Sequence, residues 1–340
     1  MRYGNFLSPG GTIGFIAPSF GCTTEPYRSG FLQALKSLEA EGYSELIGPN
    51  CFRDDGIGIS SAPKNCAEEV NAYFTSGSAE VLVSCGGGEL MCEILPYVDF
   101  DAIREAAPKL FMGYSDNTNL TLLLPTLCDT AAIYGPCAAS FGMEPLDPAL
   151  RDAIALLRGE NLTAKSYPLF ELESLKDEEH PLVPYNLTEK RVLKAEGYTE
   201  PFQGRLLGGC LDCLSNLVGT RFDKVKEFNE RYKEDGVIWF LEACDLNLLS
   251  IRRALWQLSE AGWFDSAKGF LIGRPRACFT DQEMGLDRFS AVTGVLAKRN
   301  LPILMDLDIG HLPPMMPLLA GSLATVTVSE NDLTVTMETV

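Results

Sequence analysis

Among the residues of this 340-residue chain that could act as nucleophile or base, one serine and two histidines stand out by position. Leu110-Phe-Met-Gly-Tyr-Ser-Asp-Asn-Thr-Asn-Leu120 is an apolar run that breaks at Gly113, delivers Ser115 and then turns apolar again. The pattern reads as strand, sharp turn and helix, with Ser115 in the turn. A strained turn of this kind lifts a hydroxyl clear of a sheet. A helix starting behind it points free backbone N–H groups and the positive end of its dipole at any oxyanion formed there. Asn117 or Thr118 would supply the N-cap oxygen of that helix. Taken alone, the stretch is more simply a polar helix cap, since Ser, Asp, Asn and Thr all favour that position. Asn117 also stands where the G-x-S-x-G hydrolase pattern has its second glycine. Partners elsewhere in the chain must decide.

A serine nucleophile normally works with an imidazole base, and the chain offers only His180 and His311. His180 lies in Asp177-Glu-Glu-His-Pro181, where a solvated ring among carboxylates would be a poorly held base. His311 follows Gly310 at the end of the apolar run beginning at Pro302 and is the better candidate. Glu242 closes another apolar run, Val237 to Leu241, and a carboxylate at the end of a buried strand needs a partner. It is suited to orient an imidazole and stabilise its charged form. The strand-like run Ala79 to Cys85 leads directly into Gly86-Gly87-Gly88, where backbone N–H groups can approach a ligand with no Cβ in the way. In an open α/β sheet ligands bind at the carboxyl ends of strands, so this loop and the Ser115 turn share one edge. Together these residues point to acyl transfer.

The elements that must position them alternate. A strand at Gly11–Pro18 precedes a helix over Tyr27–Glu41, in which Phe31, Leu35 and Leu38 recur at helical spacing, and a further helix is expected over 62–75. The elbow helix runs to Cys128, followed by a strand at 131–135. This βα order predicts an α/β fold with an open, mostly parallel sheet flanked by helices. The glycines of Gly10-Gly11-x-x-Gly14 precede or lie within their strand, which argues against a dinucleotide site. Between Glu160 and Thr199 the chain becomes polar, acidic and proline-bearing, as a connection or flap would. The expected division is 1–162, an N-terminal α/β domain with the serine; 163–203, the acidic connection; and 204–340, a C-terminal domain with Glu242 and His311. The last part reads as strands at 204–210, 237–242, 269–273 and 302–310, helices at 249–260 and 281–299, and a terminal hairpin built from 325–328 and 333–337.

Composition narrows the partners. Against 28 Lys and Arg stand 46 Asp and Glu, a net charge of −18, which repels nucleic acid and anionic membrane surfaces unless a basic patch intervenes. No apolar run is long enough to cross a bilayer, and Met1 to Gly10 holds no signal-like apolar core, so a cytoplasmic location is expected. Eleven cysteines, an odd number scattered through apolar segments, suit reduced thiols. Cys210-Leu-Asp-Cys213 has no second pair to complete a zinc site, and neither a metal nor a cofactor is expected.

Ala17-Pro-Ser19, the pair Gly87-Gly88, Gly113-Tyr-Ser-Asp116, Phe240-Leu-Glu242 and Gly310-His311, in this order and at these separations, resemble the LD-carboxypeptidase family of serine peptidases, which includes a microcin C self-immunity branch. The resemblance spans nearly the whole chain. It implies a catalytic triad of Ser115, Glu242 and His311 and an oxyanion hole from the backbone of Gly88 and Asp116. It also implies a smaller mixed α/β C-terminal domain, an active site between the domains, and a homodimer. Cys85-Gly-Gly-Gly-Glu89 departs from the Arg-Gly-Gly-Tyr-Gly loop common in members that trim peptidoglycan peptides and is closer to the microcin branch. That branch cleaves peptidyl or aminoacyl nucleotides, with a flap aromatic stacked on the base; here Tyr185 is the candidate for that part, and Gly87 would border the substrate. The expected activity is release of terminal D-alanine from a muropeptide tetrapeptide. A nucleotide-conjugate hydrolase is the alternative, and a catalytically silent protein that binds an anionic small molecule is the alternative from another class. An acidic protein fits a peptide bearing a free amine better than an anionic conjugate.

Overall fold

The computed structural model describes residues 1–340. Five strands, β1 (Thr12–Ile16), β2 (Ser44–Ile47), β3 (Val81–Ser84), β4 (Leu110–Gly113) and β5 (Ala132–Tyr134), alternate with helices as the sequence pattern requires. They lie side by side in the order β5-β4-β3-β1-β2, all parallel. Their uniformly apolar sequences follow from burial on both faces: in β3, Val81 and Val83 enter one core while Leu82 enters the other. The helix Tyr27–Ala40 buries Phe31, Ala34, Leu35 and Leu38, the face expected from their spacing.

The remaining strands are β6 (Thr163–Lys165), β7 (Leu169–Phe170), β8 (Glu189–Lys190), β9 (Lys194–Glu196), β10 (Phe202–Cys210), β11 (Val237–Glu242), β12 (Ala267–Gly273), β13 (Ile303–Leu307), β14 (Leu318–Ala320), β15 (Leu323–Ser329) and β16 (Asp332–Glu338). Eight of them form a second sheet, β6-β16-β15-β10-β11-β12-β13-β9, with β10 to β13 parallel and the outer strands antiparallel. β7 and β8 pair separately. The terminal hairpin is present as β15 and β16. β6 and β9, within the polar stretch 163–203, belong to this second sheet, while β14 returns to the first sheet and pairs antiparallel with β5. Both apolar cores draw on residues before 162 and after 204, so the two halves meet through packed hydrophobic layers.

One element differs from expectation. The helix expected from 281 begins at Arg288 and runs to Leu296, because Met284 and Gly285 hold left-handed backbone and Asp287 caps the helix through the N–H groups of Phe289 and Ser290.

Candidate active site

Ser115 sits immediately past β4 with φ of +63°, a left-handed conformation that a non-glycine residue adopts only when its surroundings enforce it. The enforcement is visible. A Cβ on Gly113 would lie 2.9 Å from the Asn117 side chain, so the turn closes only over glycine. Asn117 does not cap the helix Thr118–Cys128, and no side-chain cap is made there, contrary to the expectation for Asn117 or Thr118. Its amide instead donates to the carbonyls of Gly86 at 2.9 Å and Tyr114 at 3.1 Å, tying the elbow to the glycine loop. Thr118 Oγ1 accepts the Cys210 N–H at 3.0 Å, joining the elbow to β10.

The Asp116 carboxylate accepts the Ser19 hydroxyl, the Met91 N–H at 2.8 Å and the Asn119 side-chain amide at 3.2 Å. Burial pushes this carboxyl up from its ordinary value, and the bonds from Ser19 and Met91 oppose that. Neither the Asp116 N–H nor the Gly88 N–H donates a hydrogen bond within the chain. Gly88 must be glycine, since a Cβ there would collide with the Ser19 hydroxyl. A Cβ on Gly87 would lie 3.4 Å from Ser115 Cβ and 3.5 Å from its Oγ, so this glycine keeps the space beside the hydroxyl open.

The second sheet supplies the other two groups. Glu242 ends β11 fully buried, and His311 follows Gly310, whose φ of +102° turns the chain after β13. A Cβ on Gly310 would come 2.5 Å from Glu242 Oε2, so glycine is what lets the histidine loop pass over the carboxylate. His311 Nδ1 lies 2.9 Å from Glu242 Oε2 and its Nε2 lies 2.8 Å from Ser115 Oγ. Ser115, His311 and Glu242 thus form one hydrogen-bonded chain across the two sheets. Burial by itself would lower the imidazole pKa, but the Glu242 carboxylate, with hydrogen bonds to Cys244 and Glu242, outweighs it and holds the pKa well above the usual histidine range.

Tyr134, at the end of β5, was not singled out by the sequence pattern. It is fully buried, donates its hydroxyl to Glu242 Oε1 at 2.6 Å and accepts the Ser115 N–H at 3.4 Å. A tyrosine closing a parallel strand beside the serine strand was the signal available, but a buried aromatic at that place is ordinarily core. His180 is apart from this chain of groups, exposed and bonded to Asp177. Cys210, Glu242 and His311 offer ligand atoms within 4.8 Å of one another, a donor set compatible with a soft divalent metal. Both imidazole nitrogens already engage Glu242 and Ser115, and burial pushes the Cys210 thiol well up, toward its neutral form.

Ser115, His311, Gly87 and Gly88 border a cleft of about 640 Å³. Tyr185, on the segment 163–203, also lines this cleft; the segment is tied to the loop after His311 by the Glu171 N–H to the Pro313 carbonyl at 2.7 Å, and the Glu171 carboxylate accepts the Asn186 N–H at 2.6 Å within the segment. Arg53, Lys176 and Arg276 also face this cleft.

Two family models match the chain: the LD-carboxypeptidase N-terminal domain over residues 13–135 and the LD-carboxypeptidase C-terminal domain over residues 203–326. The chain belongs to the LD-carboxypeptidase family. It is therefore an enzyme, a hydrolase of the carboxypeptidase type. The first match spans β1 to β5 and Ser115, the second spans β10 to β14 with Glu242 and His311, so the two matched regions meet at the Ser115–His311 contact. Among relatives, the Escherichia coli microcin C7 self-immunity protein is 25% identical, with 97% of this chain and 94% of that protein covered. The Bacillus subtilis protein named probable murein peptide carboxypeptidase is 27% identical, with 95% and 91% covered. In fold, the chain superimposes on the microcin C7 self-immunity protein in complex with aspartyl sulfamoyl adenosine with a TM-score of 0.81 over 98% of both chains, at 23% identity.

Proposed function

We propose that the protein is a serine carboxypeptidase that releases terminal D-alanine from a muropeptide tetrapeptide through an acyl-enzyme. The observation that carries the proposal is the continuous hydrogen-bonded chain Ser115 Oγ–His311 Nε2 at 2.8 Å and His311 Nδ1–Glu242 at 2.9 Å. In this mechanism Ser115 Oγ attacks the scissile carbonyl carbon and passes its proton to His311 Nε2. Glu242 holds the Nδ1 proton and stabilises the imidazolium, and Tyr134 fixes the second carboxylate oxygen. The free N–H groups of Gly88 and Asp116 receive the oxyanion. His311 then protonates the leaving amine as the C–N bond breaks, and water attacks the ester with His311 as base. Arg53, Lys176 and Arg276 on the cleft wall supply cations that suit the terminal carboxylate of a peptide. The serine comes from the 1–162 half and Glu242 and His311 from the 204–340 half, with 163–203 as the flap. We place the enzyme in the cytoplasm as a homodimer.

Tyr185 and the breadth of the cleft favour a second reading, hydrolysis of a peptidyl or aminoacyl nucleotide with the base stacked on the flap. Incubation with a muropeptide tetrapeptide and, separately, an aminoacyl sulfamoyl adenylate, followed by mass spectrometry, distinguishes the two. Loss of D-alanine supports the first reading. Cleavage of the adenylate alone refutes it, and Tyr185→Ala then weakens that reaction selectively. A catalytically silent binding protein would stay unlabelled by a small fluorophosphonate; the enzyme is labelled at Ser115 in a His311-dependent way.

A further inference from the structure

Arg274 and Asp308 form an ion pair at 2.6 Å that is sealed from solvent, with Asp308 fully buried and Arg274 1% exposed. Such a pair is weak evidence of a stability role, because apolar residues of similar volume in its place are often neutral or stabilising. What apolar residues would not supply is its set of directional bonds. Arg274 follows β12, and its guanidinium donates to the Asp306 carbonyl at 3.0 Å, to Asp308 Oδ1 at 2.6 Å and to the Leu312 carbonyl at 3.3 Å. These acceptors bracket His311 in the chain. Among the backbone groups of Gly310, His311 and Leu312, the Leu312 carbonyl alone is hydrogen-bonded within the protein, so Arg274 is the polar tie on the backbone that carries the base.

The same pair reaches the segment 163–203. Asp308 Oδ2 accepts the Tyr167 N–H at 2.8 Å, and the Arg274 guanidinium lies over the Phe170 ring, 4.3 Å from its centroid. Arg191 also holds Tyr167, by its carbonyl at 2.7 Å, but its other side-chain bond goes to Asp332 and not to the histidine loop. From Phe170 the chain continues to Glu171, Lys176 and Tyr185, which line the cleft with His311. Arg274 and Asp308 do not themselves border that cleft.

We propose that Arg274 and Asp308 are positioning residues of the hydrolase. Their pair couples the placement of His311 against Ser115 to the seating of 163–203 beside the cleft, so that its loss misplaces the base and loosens substrate contact together. The proposal rests on the serine-peptidase reading above, in which His311 is the base. A catalytic group has to be held within about 0.5 Å of its productive position, and a displacement of about 1 Å can cost about a hundredfold in rate.

The test separates position from stability. Arg274→Met/Asp308→Leu replaces the pair by apolar side chains and should melt near the wild-type temperature. Its kcat should nevertheless fall at least about tenfold. Labelling of Ser115 by a small fluorophosphonate, which needs His311 but no seated peptide, should slow by a similar factor, and KM for the peptide should rise. Amide exchange read by mass spectrometry should increase together in peptides covering 163–175 and 308–316. Arg274→Lys, which keeps the charge but has one nitrogen in place of a guanidinium fork, should rescue the rate only in part. A double variant with wild-type melting, kcat and KM overturns the proposal, as does loss of exchange protection in only one of the two peptides or in neither. If the double variant does not fold, Arg274→Lys decides: lower kcat with raised exchange in both peptides upholds the coupling, and wild-type values overturn it. If the wild type neither cleaves peptide nor reacts with the fluorophosphonate, the proposed function fails, and the exchange measurement alone still upholds or overturns the coupling of the two segments.

Discussion

Replacing Glu242 by Gln keeps the volume of a fully buried side chain and removes its charge, so it isolates what the carboxylate does for His311. Unit charges about 4 Å apart attract by about 4 kcal/mol at an effective dielectric near 20, and the 2.9 Å Glu242–His311 contact loses that attraction. Burial, which acts against the charged imidazole, is then unopposed by Glu242. The His311 pKa, held well above 6.5 in the wild type, should fall toward or below 6.5. Since the base must be neutral to accept the serine proton, the acid limb of kcat/KM lies above pH 6.5 in the wild type and moves to lower pH in the variant. The rate falls even so. A glutamine has one acceptor, and if its NH2 faces His311 the imidazole takes the tautomer whose Nε2 carries a proton toward Ser115. By analogy with the Asp→Asn change in a serine protease triad, the loss in kcat reaches about 10⁴. Linkage gives a second readout. A histidine whose pKa is raised by folding contributes stability that is fully present below its unfolded value near 6.5 and is lost as pH rises through the folded value. Thermal melts of wild type should therefore lose stability over that upper window, and Glu242→Gln should flatten the slope. The assay is a kcat/KM profile from pH 5 to 10, with melts at each pH. An acid limb that stays in place or moves upward in Glu242→Gln, or a variant keeping more than a tenth of wild-type kcat, would refute the reasoning.

Three further outcomes are expected. Ser115→Ala should abolish turnover and fluorophosphonate labelling while leaving the melting temperature within a few degrees, because alanine meets the same left-handed backbone; residual full activity would exclude Ser115 as the nucleophile. Tyr134→Phe leaves a buried carboxylate oxygen of Glu242 without its 2.6 Å donor and should cost about 1.5–3 kcal/mol of stability in denaturant melts, with a loss in kcat, whereas an unchanged melt would show that the hydroxyl is idle. Gly87→Ala places a methyl 3.5 Å from Ser115 Oγ and should fold normally yet raise KM or lower kcat at least about tenfold; steady-state kinetics matching wild type would mean that substrate does not approach from that side.

Ser115, Glu242 and His311 were legible because each stands at the carboxyl end of an apolar run, and strands buried on both faces advertise themselves as such runs. The glycines were legible for the same reason of place, although what each accommodates, the Ser19 hydroxyl at Gly88 or the Glu242 carboxylate at Gly310, appears only in three dimensions. Tyr134 was hidden because a tyrosine in an apolar strand looks like core, and its partner lies 108 positions away. Asp116 and Asn117 read as capping residues by local propensity, and tertiary bonds to Ser19, Met91 and Gly86 override that preference. β14 escaped notice because pairing register between distant strands leaves no local trace.

The return of β14 to the first sheet also sets a timetable for synthesis. Leu318, Leu319 and Ala320 cover the edge of Ala132–Tyr134, the strand that carries the Glu242-binding hydroxyl. A nascent chain emerging at about 5–20 residues per second has its serine and glycine loop long before the strand that closes their sheet. Until that closure the growing polypeptide presents an open β edge, a place for mispairing with other chains. Truncations ending before Leu318 should accordingly accumulate as aggregates or chaperone-bound species, and the sheet that carries Ser115 is closed only once Leu318 to Ala320 have left the ribosome.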